Sequence, residues 1–94
     1  MTTIFFVSYD LFRPGQDYPS IDRALDDIGG VRVHQSAWAV ASATTAAGLE
    51  KLLRPYVDAN DQLLVMRLAD GPYSVAGNCS DEGAEFLNRQ TTRA

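Results

Sequence analysis

The stretch TIFFVSYD, Thr3 to Asp10, decides the fold. Ile4, Phe5, Phe6, Val7 and Tyr9 place apolar side chains on both faces of an extended segment, which suits an interior strand covered on both sides. The same segment ends in a carboxylate, Asp10. Beyond it, Leu11 to Asp17 (LFRPGQD) reads as a loop punctuated by Pro14-Gly15.

Pro19 opens a helix, because proline in a first turn forfeits no hydrogen bond. Ile21, Leu25 and Ile28 recur at i, i+4 and i+7, leaving Asp22, Arg23, Asp26 and Asp27 for water. Gly29-Gly30 stops it. Val31 to Ser42 (VRVHQSAWAVAS) alternates with a period of two and reads as two short strands meeting near Gln35-Ser36. Thr44-Thr45 caps a second helix with the stripe Leu49, Leu52, Leu53 and Tyr56, and Pro55 disturbs its last turn. Asp58 to Asp61 (DAND) makes a turn into the apolar strand QLLVMRLA, residues 62 to 69. Asp70-Gly71-Pro72 breaks that strand. Tyr73 to Ala76 reads as a short extra strand, and Ser80 caps a last helix with acids in its first turn.

The order is βαββαβ plus a tail: an α+β, ferredoxin-like sandwich with an extra C-terminal short strand and helix. One domain spans residues 1–94, with 71–94 as its extension. The first strand then lies inside the sheet, in agreement with its two-faced burial. Both helices are expected on one face, so the other needs a partner. Dimerisation is the common remedy in a chain of 94 residues.

Composition narrows the function. Hydrophobic residues make up 46% of the chain, too many for a disordered protein. No apolar run approaches the roughly 20 residues of a membrane-spanning helix, and MTTIFF has neither the basic region nor the cleavage site of a secretory signal. Cys79 and His34 are each the sole residue of their kind, which excludes an internal disulfide and a Cys/His zinc cluster within one chain. A cytoplasmic location is the expectation. The formal charge of -4, with one lysine and seven scattered arginines, argues against tight non-specific nucleic-acid binding, which draws its affinity from phosphate neutralisation.

Three landmarks in order resemble the CRISPR-associated protein two family, here called Cas-two. They are VSYDL (Val7 to Leu11), GGVRVHQSAWAV (Gly29 to Val40) and DANDQLLVMRL (Asp58 to Leu68), covering roughly residues 3 to 70. The resemblance implies a ferredoxin-like homodimer with first-strand aspartates meeting across the twofold axis and a short C-terminal strand joining the partner's sheet. Some members are reported to cut RNA or DNA with a divalent metal, and others serve as scaffolds; VapD-like toxins share the architecture. The loop LFRPGQDYPS departs from the family's basic segment, and the tail adds a helix that the shortest members lack. The chain looks like a stand-alone relative.

On that resemblance Asp10 is the candidate catalytic residue and the ligand of Mg²⁺ or Mn²⁺. Two such carboxylates about 5 Å apart would repel by roughly 3 kcal/mol at an effective dielectric near 20, enough to make the pair hold a proton or recruit a cation, and the cation could activate water against a phosphodiester. The competing reading is an Asp that caps the following turn. Ser8, on the same face, and Ser36 are candidate substrate contacts, against the plainer roles of a small seam residue and a turn residue. Arg13 and Arg32 are the candidate phosphate contacts, since guanidinium binds phosphate bidentately; a solvated or paired arginine is the alternative. Tyr9 reads as packing with its hydroxyl at the rim, Trp38 as core or dimer interface, His34 as structural, and Asp58 and Asp61 as turn residues. Cys79 lacks a base or cation nearby in sequence. The first expectation is thus a metal-dependent endonuclease. The rival is a non-catalytic dimeric interaction module of a CRISPR, phage-defence or toxin–antitoxin system with a protein partner. A ligand-binding regulatory domain ranks last.

Overall fold

A computed structural model describes residues 2–11, 18–68 and 78–91. The elements are β1 (Thr3–Asp10), α1 (Tyr18–Asp27), β2 (Val31–His34), β3 (Ala37–Ser42), α2 (Ala46–Leu53), a 3₁₀ turn (Arg54–Tyr56), β4 (Gln62–Arg67) and α3 (Asp81–Thr91). The sheet order is β2-β3-β1-β4, with every neighbouring pair antiparallel. This is the ferredoxin-like α+β arrangement, and β1 is an interior strand as its sequence requires. The expected short strand at Tyr73 to Ala76 lies outside the described residues.

Alternation along β1 builds two cores. Phe5, Val7 and Tyr9 point at α1 and α2, where they meet Trp38 and Val40 of β3 and Ile21, Leu25, Leu49 and Leu53 of the helices. On the opposite face Ile4 packs with Val33, Ala39 and Phe86. Both α1 and α2 cover one face as expected, and α3, the helix of the C-terminal extension, covers the β2–β3 half of the second face. Ser80 makes that docking possible. Its backbone N–H donates to the Val33 carbonyl at 3.0 Å, its hydroxyl donates to the Arg32 carbonyl, and the same oxygen accepts the Gly83 N–H at 2.9 Å as the cap of α3. A Cβ on Gly83 would stand 3.0 Å from the Val33 Cα, so glycine is what lets the helix approach this closely.

Helix ends follow their local chemistry. Gly29 has φ 81°, and the pair Gly29 N–H to Asp26 carbonyl and Gly30 N–H to Leu25 carbonyl is a Schellman closure of α1. Thr45 caps α2 through the Gly48 N–H at 3.0 Å. Only half of the expected α2 stripe is buried. Leu49 and Leu53 are, whereas Leu52 and Tyr56 are exposed; Tyr56 lies beyond α2, in a 3₁₀ turn containing Pro55 where the angular period changes. The strand β4 ends at Arg67, with Leu68 already beyond it, and the last expected position, 69, lies outside the described residues.

Candidate functional site

Asp10 is exposed at the last position of β1. Its register partner is Gln62, the first residue of β4, and the β1–β3 register ends earlier, at Ser8 opposite Ala37. Alternation puts Phe6, Ser8 and Asp10 on the face away from α1 and α2. A shallow depression of about 330 Å³ there is lined by Ser8, Tyr9, Asp10, Gln62, Leu63 and Leu64. Beside it Leu64 and Met66 are 56% and 47% exposed, on the half of the face that α3 leaves uncovered. Ser8 and Asp10 are thus brought together. Ser36 sits in the β2–β3 turn at the same end of the sheet, where its carbonyl accepts the Tyr9 N–H at 3.1 Å.

Arg32 goes elsewhere. Its guanidinium lies on the helix side, 2.6 Å from the Oδ2 of Asp22 and 5.0 Å from the centroid of the Trp38 ring. Sequence spacing assigned Asp22 to water, yet its side chain is only 22% exposed. Its Oδ1 accepts the Tyr9 hydroxyl, and the Trp38 Nε1–H donates to that hydroxyl at 3.1 Å. A chain of polar contacts therefore runs Arg32–Asp22–Tyr9–Trp38 and joins β2, α1, β1 and β3. Burial above all, and then the Asp22 side chain, push the Tyr9 phenol well above its usual pKa. Tyr9 packs in the core as expected, but its hydroxyl is held between Asp22 and Trp38 and not at the rim. A signal for Asp22 was present: buried Tyr and Trp carry polar atoms that need partners, and Asp22 borders the Ile21–Leu25 stripe.

The remaining candidates have ordinary settings. The Nε2 of His34 lies 2.6 Å from the Asn78 carbonyl, so that nitrogen carries a donated proton and fixes the chain entering α3. Trp38 is core. Asp61 is buried and its carboxylate accepts the Asp58 N–H at 2.7 Å, closing the turn before β4. Cys79 packs against the second core. Arg13 lies outside the described residues. Among the described residues, no group of three or more His, Cys, Asp or Glu is placed to hold a metal ion. Among the described residues lining the depression the one carboxylate is Asp10, and a hard cation such as Mg²⁺ suits that donor set only if a second carboxylate or water completes the shell.

No helix among the described residues is long and apolar enough to cross a membrane. No family model matches the chain. The chain is similar to a solved structure described as a hypothetical protein, TT1823, from Thermus thermophilus, at 23% sequence identity and a TM-score of 0.64, over 85% of this chain and 96% of that one. At that identity the likeness is one of fold.

Proposed function

We propose that the protein is a Cas-two-like homodimer whose two Asp10 carboxylates, paired across the twofold axis, hold Mg²⁺ or Mn²⁺ for phosphodiester hydrolysis of RNA or DNA. The carrying observation is the uncovered strip of sheet, where Asp10 and Ser8 lie beside exposed Leu64 and Met66. A second copy seated on that strip buries both apolar side chains and brings the β1 ends of the two protomers toward each other. The cation, when bound, supplies a Lewis acid and an activated water. The chain supplies the rest. Asp10 holds the charge, Ser8 offers a hydroxyl within the depression, and the apolar strip excludes bulk water from the seam. Arg13 remains the candidate phosphate contact.

A second reading has its own support. Arg32 is engaged by Asp22 and Trp38, and the chain carries a net charge of -4, so the described residues offer little to grip phosphate. The same homodimer then serves as a non-catalytic module that binds a protein of a defence or toxin–antitoxin system. Cleavage assays on RNA and DNA with Mg²⁺ and with Mn²⁺, run beside Asp10→Ala, separate the two. Loss of at least about 100-fold in the variant is the expected result for a group at the reaction centre. Equal cleavage by both proteins, or none by either, leaves the module.

A further inference from the structure

Asp10 stands where both of its ladders run out. It has no register partner on β3, and its partner on β4 is that strand's first residue. Strand ends of this kind fray at little cost, which is a poor mount for a metal-binding carboxylate. The residue before it is the reverse. Tyr9 is buried, its amide donates to the Ser36 carbonyl, and its hydroxyl is bonded to both Asp22 and Trp38. A phenylalanine would fill the same core volume, so the hydroxyl's contribution is directional. It ties the last turn of the strand's pleat to helix α1, and the planar peptide between Tyr9 and Asp10 carries that constraint to the next side chain. Asp22 spends both oxygens here, one on Tyr9 and one on Arg32. A polar network satisfied at each link rigidifies what it touches.

We propose that Asp22, acting through the Tyr9 hydroxyl, is a positioning residue for Asp10. Helix α1 thereby sets the direction of a carboxylate on the opposite face of the sheet. This inference rests on the metal-binding reading of Asp10, and two independent measurements keep the two apart. The first is amide hydrogen exchange on the full chain without metal. Asp22→Ala and Tyr9→Phe raise exchange at Tyr9 and Asp10 by about tenfold or more while the amides of Phe5 to Val7 keep their protection, as expected for local rather than global opening. Asp22→Asn retains an acceptor for the hydroxyl and stays within about twofold of the native rate. The second is Mn²⁺ affinity by calorimetry. The Ala and Phe variants bind about tenfold more weakly, in the range found when supporting partners of a metal ligand are removed, and Asp22→Asn restores binding. Unchanged exchange at Tyr9 and Asp10, a parallel rise along all of β1, or an Asn variant as impaired as the Ala variant overturns the positioning role. Native protein that ignores Mn²⁺, or an Asp10→Asn variant that binds it equally, instead removes the metal reading, and the exchange data still decide whether Asp22 positions the strand end.

Discussion

At the scale of the residue, Tyr9 carries a consequence that needs no metal. Its phenol keeps its proton in the folded chain to higher pH than in the unfolded one, because burial and the Asp22 side chain disfavour the phenolate. The unfolded phenol ionises near its usual value of about 10. Above that pH the folded state binds the extra proton, so stability present at neutral pH is lost as pH rises, by up to about 1.4 kcal/mol per pH unit for one group. At neutral pH Tyr9→Phe leaves Asp22 Oδ1 and Trp38 Nε1 without this partner, a cost of about 1–3 kcal/mol. Urea unfolding of both proteins therefore shows a gap that narrows between roughly pH 9 and 11. A gap of constant size across that range would mean that the hydroxyl is not the buried, helix-linked group seen here. The Arg32–Asp22 pair adds little of its own, since the arginine is 42% exposed and such pairs contribute about 1 kcal/mol at most. What could be read in the sequence at this scale was the identity of Asp10 and its place at a strand tip. Asp22 was legible only indirectly: a helical wheel assigns it to water by angle, and the sole hint was that a buried Tyr or Trp needs a polar partner, a pull from the neighbouring element β1 that leaves no mark on the helix's own pattern.

Elements were far more legible than contacts between them. Period-two and period-3.6 patterning suffices to place β1 to β4, α1 and α2, since each must present one face or two to a core. The caps were equally plain: Gly29, Thr45 and Ser80 act in the structure as their residue types require. What patterning could not give was where α3 docks, because an isolated amphipathic helix does not say which sheet face it covers. Ser80 settles that through two hydrogen bonds that join the start of α3 to β2, while a third, from the Gly83 N–H, caps the helix. Replacing it by alanine removes the cap and the hydroxyl's bond to the Arg32 carbonyl, for a loss of about 1–2 kcal/mol. The loss falls on one half of the second face, over Ile4, Val33, Ala39 and Phe86. Limited proteolysis of Ser80→Ala should thus cut the C-terminal helix first while β1 to β4 stay intact. Cleavage spread evenly along the chain would show instead that α3 and the sheet unfold as one unit.

For the whole molecule the question is how a small chain closes its second sheet face. The helices α1 and α2 cover one side, α3 covers the β2–β3 half of the other, and the β1–β4 half is left with Phe6, Leu64 and Met66 beside Asp10. A twofold copy set on this strip meets the same strip, so a single apolar patch serves both partners. Leu52 supplies an internal control, being 52% exposed on the helix layer against 56% for Leu64 on the sheet. Leu64→Glu would place one new carboxylate per protomer in a seam that already holds Asp10, and burying unpaired charge costs several kcal/mol. Sedimentation equilibrium should find the native chain and Leu52→Glu at twice the chain mass, and Leu64→Glu at the chain mass with dimer affinity reduced by about 100-fold or more. If the native protein sediments as a monomer, or if the two glutamate variants behave alike, the strip is not the seam and Asp10 has no symmetry mate to share a cation with. Should Leu64→Glu alone dissociate, loss of Mn²⁺ binding in that variant, with Asp10 itself untouched, ties the metal to the assembled pair and not to the single chain.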